Sequence, residues 1–264
     1  MVNTVSVRKW RIVSVILVIL VIIVFFTWIS FQWEQSTRQS ERHDLTYSIE
    51  LSVNTTIENV SLLLPVPELN KTPLLADALV NRTGYGVPAD WNLSIVRVEG
   101  IPMLSIIAAR MIPEYHGYPL PIEPGKTPNQ TPVPSATEYS SETPVLVPVL
   151  CAVMESRPMS IDTRNPAGHE PVFMPGEQFI PVTGTSPAYQ GAGFSHRVPI
   201  YIQYTSDRPA TLSIRISIEG SNSIWRGGWL GNRYSDAVSL TLDNGTQGWI
   251  EGEGTLITGE DVYY

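Results

Sequence analysis

The sequence predicts a mainly β protein: an N-terminal single transmembrane helix followed by an extracytoplasmic antiparallel β-sandwich with long Pro/Gly-rich loops and one short helix. Three observations predict it. Residues 12–29 form a charge-free apolar run. Segments after residue 44 alternate apolar and polar residues, the period of a half-buried strand. Short turns separate these segments and no βαβ rhythm is present, which points to an antiparallel sandwich.

The run from Ile12 to Ile29 has Ser14 and Thr27 as its polar side chains, both short hydroxyls able to bond back to helix carbonyls. With flanking Trp10 and Phe31 it covers 22 residues. At about 1.5 Å per residue that is roughly 33 Å, enough for a hydrocarbon core of about 30 Å. In lipid the backbone must bond internally, so even a Val/Ile-rich run forms helix. Trp10 marks one end, and Trp28 and Trp33 the other, where indoles favour the membrane interfaces. A cleaved signal peptide is the rival, but its apolar core spans about 7–15 residues and small residues follow it. Here bulky TWISFQWEQS follows a longer core, so an uncleaved anchor at 12–32 is expected. Arg8, Lys9 and Arg11 precede it without an acidic neighbour, and a mixed set, Glu34, Arg38, Glu41, Arg42 and Asp44, follows. Positive residues stay inside. Residues 1–11 are therefore expected in the cytoplasm, 33–44 as a polar stalk, and 45–264 as a β-rich domain outside the plasma membrane.

Within that domain, LTYSIELSV alternates apolar Leu45, Tyr47, Ile49, Leu51 and Val53 with polar neighbours. A second strand is expected at 57–64. Thr72 is read as the cap of a short helix, with Pro73 at its first position. A hairpin is expected from strands 93–99 and 102–110, turning at Glu99-Gly100. Seven prolines (119, 121, 124, 128, 132, 134, 144) make 119–144 a loop. Strand character returns at 145–154, and 157–196 reads as irregular. VPIYIQYTS and ATLSIRISIEG then alternate. A turn is expected at Glu219–Asn222, and a last hairpin at Asp243-Asn244-Gly245. The stretch 45–118 has few strands to cover its own core, so one exterior domain is favoured.

Fourteen of the seventeen basic residues and all twenty-five acidic residues follow the helix, so the exterior carries a formal charge of −11. This argues against nucleic acid or anionic lipid as its partner. Cys151 is the one cysteine, so no internal disulfide forms, and its apolar run marks it as a buried small hydrophobe. Asn-x-Ser/Thr triplets occur at Asn54, Asn59, Asn70, Asn81, Asn92, Asn129 and Asn244. In a host that glycosylates asparagine these would mark exposed surface.

Asp162, Arg164, His169 and Glu170 form the densest polar cluster, in a stretch with loop character. The plainer reading is a loop tied by an Asp–Arg pair and an Asx-type turn at Asn165-Pro166. HEPVF lacks the second histidine of a zinc helix, and Pro171 disfavours that helix. Trp225, Trp229 and Trp249, with Tyr234, form an aromatic group on which sugar rings would stack, with core packing as the commoner fate. Trp225 and Trp229, four apart, would share one face of a strand. His43, His116 and His196 lack the spacing of metal ligands. Glu251, Glu253, Glu260 and Asp261 lack EF-hand spacing and read as a solvated acidic end. No nucleophile elbow, P-loop or paired CxxC is present, so no catalytic residue, metal or cofactor is assigned.

The leading expectation is a non-enzymatic envelope protein with a structural, adhesion or assembly role. Its partners would be the lipid bilayer through 12–32, other envelope proteins or glycans, and no nucleic acid. The order of inside N-terminus, single helix and exterior β-domain resembles small archaeal surface proteins and filament-associated stator subunits. The basic residue followed by Gly or Ala of a prepilin is missing at RKWR. A carbohydrate- or ligand-binding module through the tryptophans is the second expectation. An anchored hydrolase using the 162–170 loop is the third.

Overall fold

A computed structural model describes residues 4–118, 140–182, 191–243 and 247–259. Helix α1 (Thr4–Gln39) is followed by β1 (Arg42–Val53) and β2 (Ile57–Pro65). A short hairpin of β3 (Glu68–Leu69) and β4 (Thr72–Pro73) precedes α2 (Ala76–Val80). Next come β5 (Asn92–Val98), β6 (Ile101–Met111), β7 (Glu114–Tyr118), β8 (Ser140–Val147), β9 (Val149–Ser156) and β10 (Ile180–Val182). The chain continues with β11 (Gly193–Thr205), β12 (Thr211–Trp225), β13 (Trp229–Asp243) and β14 (Gly248–Ile257).

The chain divides into two units. The smaller holds α1, residues 40–42 and the turn at 223–231. Its helix is long and apolar enough to cross a membrane, and none of its most apolar window is buried against protein. Ser14 Oγ donates to the Trp10 carbonyl and Thr27 Oγ1 to that of Val24, so both hydroxyls are satisfied within the helix. The residues read as a polar stalk continue the same helix to Gln39, where Arg38 and Glu34 pair at 2.7 Å one turn apart.

The larger unit is built on one curled antiparallel sheet of ten strands, in the order β5-β6-β2-β11-β14-β13-β12-β1-β9 with β10 on β11. Strands from both sides of residues 119–139 interleave in it. Two separately bonded sheets, as in the expected sandwich, are not distinguished. Alternation reports which face of a strand is buried but not its neighbours. The α2 helix touches both β5 and β9, the two edge strands, and the segment after it bonds to β9 through Tyr85 and Ala152. Gly86 lies in this segment at φ 77, where a Cβ would land on the Leu150 carbonyl.

The core lines the inside of the curl. Leu45, Tyr47, Ile49 and Leu51 of β1, Leu62 and Leu64 of β2, Ile200 and Ile202 of β11, and Ile214, Ile216 and Ile218 of β12 are buried together. Each aliphatic side chain gains about 1.5–3 kcal/mol from leaving water. Tyr47 takes its hydroxyl into this core by donating to the Pro65 carbonyl at 2.9 Å, and burial pushes its phenol far above the usual range.

Several local expectations change. Thr72 does not cap a helix: Thr72–Pro73 pairs with Glu68–Leu69, Leu75 turns the chain at φ 67, and α2 begins at Ala76. Strand 145–154 is broken at Pro148, giving β8 to a small sheet with β7 and β9 to the main sheet. Ser140–Val147 is therefore strand, against the loop that the prolines of 119–144 predict; the rest of that stretch lies outside the described residues. Glu219–Asn222 is not a turn, because β12 runs unbroken to Trp225. Gly220 is there for space, since a Cβ would strike the Tyr234 ring. The Glu99-Gly100 turn forms as expected, with both residues at positive φ. The turn at Asp243-Asn244-Gly245 falls largely outside the described residues, and β13 and β14 on either side of it pair antiparallel.

Candidate functional site

The irregular segment between β9 and β10 carries the predicted polar cluster. Asp162 Oδ1 accepts the backbone N–H groups of Arg164 and Asn165, an Asx turn that starts at Asp162 and not at Asn165. Its Oδ2 stands 3.1 Å from His169 Nδ1. Glu170 Oε1 accepts the Asp162 N–H at 2.8 Å. Burial pushes the Glu170 carboxyl above its ordinary range, the Asp162 charge adds to the rise, and the Asp162 N–H and the Arg157 charge oppose it. Asp162, His169 and Glu170 are thus brought together, with the Arg164 main chain in the same turn. The His169 side chain is 66% exposed. The two carboxylates bond this loop's own backbone and ring, which is the chemistry of a turn lock.

A second polar set holds the same segment from the sheet side. Asn222 Oδ1 accepts the Ile161 N–H, and its Nδ2 donates to the Ile161 carbonyl, both at 2.8 Å. The Asn222 oxygen also stands 2.9 Å from His43 Nδ1. Tyr234 donates to the Pro171 carbonyl at 2.7 Å. Burial above all, with help from the Glu170 and Asp236 carboxylates, pushes its phenol far up. Asp236 Oδ2 accepts the Phe173 N–H at 2.8 Å, and its Oδ1 stands 2.8 Å from His196 Nε2. The His196 ring also rests on Phe179, centroids 4.8 Å apart. Ile161, Thr163, Val172 and Phe173 are buried as a result. A loop backbone taken out of water needs such partners, and these side chains supply them.

Sequence reasoning does not single out Asn222 or Asp236, places Tyr234 only in the aromatic group, and takes His43 and His196 only as metal candidates without ligand spacing. A signal was present. In β1, His43 has the parity of Leu45 and Tyr47, and in β11 His196 has that of Val198 and Ile200. In β12, Asn222 shares the parity of Ile216 and Ile218, and in β13 Asp236 that of Tyr234 and Val238. All are in the buried phase of their strands. Polar residues in the apolar phase mark groups that must be satisfied inside.

The tryptophans separate. Trp225 ends β12 and Trp229 opens β13, so they meet across a turn and not along one strand. Their rings lie 5.7 Å apart, edge to face, at 44% and 55% exposure. The Trp225 N–H donates to Ser40 Oγ at 2.9 Å, and the Arg42 guanidinium lies over the Trp229 ring, 5.5 Å from its centroid. Arg226 N–H bonds the Gly228 carbonyl, and Gly227 supplies a φ of 80 at the tip. Trp249, in the larger unit, packs on Tyr201 and lines a hollow of about 340 Å³ with Ile101, Met103, Pro199 and Glu251.

Of the sequon asparagines, Asn54, Asn59, Asn70, Asn81 and Asn92 are exposed. Asn59 donates to Thr205 Oγ1, and Asn54 Oδ1 accepts from the Thr211 N–H. Asn129 and Asn244 lie outside the described residues, as do Glu260 and Asp261. Cys151 is buried, and burial pushes its thiol up to about 11. Among the described residues no group of three or more His, Cys, Asp or Glu side chains is placed to hold a metal ion. Comparison with protein-family models, with curated proteins and with solved structures gives no significant match to this chain.

Proposed function

We propose that this is a membrane-anchored cell-envelope protein with a non-enzymatic structural, adhesion or assembly role. Residues 12–32 span the plasma membrane, the basic N-terminus is cytoplasmic, and the β-domain stands outside, its curled sheet folding over one core in the manner of a sandwich. The observation that carries the reading is the apolar helix, which has no protein covering on its most hydrophobic window. Such a surface needs lipid. The polar clusters add support, because Asp162, Glu170, Asn222 and Asp236 bond the domain's own backbone. The exposure of five sequon asparagines suits a glycosylated outer face.

Crosslinking on intact cells tests this reading, combined with alkaline washing of the membranes. The chain is expected to stay in the washed membrane and to yield envelope proteins as neighbours. Release by the wash, or labelling confined to cytoplasmic neighbours, overturns it. A second reading, a carbohydrate-binding module, is favoured by the exposed indoles of Trp225, Trp229 and Trp249. Recovery of a bound glycan in the same experiment would support it.

A further inference from the structure

The turn between β12 and β13 exposes Trp225, Trp229 and Leu230, with Arg226 at its tip. A water-facing loop has little reason to present two indoles and a leucine side by side. Its position supplies one. The turn belongs to the same unit as α1. There the Trp225 N–H is bonded to Ser40, the residue after the helix.

We propose that this turn is a second membrane contact, seated in the polar headgroup layer of the bilayer that α1 crosses. The proposal rests on the anchor reading and adds a surface to it. Ser40 is eight residues past the end of the expected span at 32, about 12 Å of helix. The headgroup layer accounts for roughly 5–8 Å on each side of the hydrocarbon. The gap left is on the order of 4–7 Å. One or two extended residues beyond Trp225, at about 3.3 Å each, together with the reach of an indole, close it. The tip therefore meets headgroups and not acyl chains.

The chemistry fits that layer. Indoles prefer the interface, where the ring is shielded and the N–H stays wet. Arg42 and Arg226 outnumber Glu41 here, which departs from the acidic exterior as a whole. Arg42 also covers one face of Trp229, and the two rings are tilted by 70°. A sugar platform needs an open ring face, so a glycan is the weaker occupant.

Nitroxide labels on the full chain in phosphatidylcholine vesicles test it. One label goes on Ile22→Cys, within the span. The other goes on Gly228→Cys, where a Cβ meets nothing within 4 Å. Cys151 stays in place because it is buried. Nickel held on a chelating lipid headgroup reads headgroup contact, and oxygen reads hydrocarbon. The expected result is a hydrocarbon signal at Ile22→Cys and a headgroup signal at Gly228→Cys. The latter should fall several-fold when Trp225→Ser and Trp229→Ser are added. A Gly228→Cys label in bulk water, with Ile22→Cys in hydrocarbon, overturns the proposal and leaves the anchor intact. A headgroup signal unchanged by the two serine substitutions also overturns it, since the indoles would then contribute nothing. Immobilisation of the tip label by a soluble oligosaccharide, without headgroup contact, assigns the tip to glycan. An Ile22→Cys label in water removes the anchor and the proposal together.

Discussion

Asn222 closes a two-bond ring with the main chain of Ile161, its oxygen on the amide N–H and its nitrogen on the carbonyl, each at 2.8 Å. One strand side chain thereby does for a loop residue what a neighbouring strand would do. Asn222→Ala would leave the Ile161 N–H unpaired in a dry site, while the Ile161 carbonyl keeps the Thr163 N–H at 3.0 Å. A loss of about 2–3 kcal/mol is expected, because a buried polar group without a partner keeps its desolvation cost. Urea unfolding followed by near-UV circular dichroism measures it.

Asp236 divides its carboxylate between His196 Nε2 and the Phe173 N–H, with both side chains fully enclosed. Removing this carboxylate takes the acceptor from two buried partners at once, each worth about 1–3 kcal/mol. Asp236→Ala is therefore expected to destabilise more than Asn222→Ala, and Asp236→Asn less than Asp236→Ala, because an amide oxygen still accepts from Phe173. Midpoints in urea at constant slope give the ranking.

Glu170 is held above its ordinary value of 4.5, chiefly by burial. The folded state therefore keeps the proton more tightly than the unfolded chain does. The group's stabilising contribution is complete below about 4.5 and is lost as pH rises through the folded value. Glu170→Gln keeps the oxygen that accepts the Asp162 N–H and removes the ionisation. The variant should flatten the dependence of melting temperature on pH just above 4.5, and melt no lower than the parent at neutral pH.

Cys151 needs its thiolate to react, and the folded protein holds the thiol near 11 with almost no exposed surface. Iodoacetamide at pH 8 should leave it intact in the folded chain and alkylate it fully in denaturant. Mass spectrometry of the intact protein separates the two.

What was legible in the sequence was what depends on period and composition. The alternation of Leu45 to Val53 predicts β1 and its buried face, and positive φ at Glu99 and Gly100 follows from the turn they were expected to make. The charge-free run predicts a helix with nothing around it. The misreadings share one cause: a local signal was outweighed by a distant partner. Glu219–Asn222 has turn composition, yet Gly220 is small because Tyr234 crosses it, and Asn222 is polar because Ile161 needs it. Thr72 and Pro73 suit a helix start, but they pair with Leu69 and Glu68. The site cluster at 162–170 is legible from composition, while the side chains that hold the segment come from strands 61 to 63 residues away. No spacing rule joins them.

The placement of β1 has a consequence for how the chain is made. This strand emerges directly behind α1, yet its two neighbours in the sheet are β9 and β12. At a synthesis rate of about 5–20 residues per second, its first edge waits roughly 5–20 s for β9 and its second roughly 10–35 s for β12. Throughout that interval a strand with one apolar face stands unpaired, where a neighbouring copy can meet it edge to edge. Early folding of this chain is therefore limited by its last strands: β1 is made first and completed only once β12 exists.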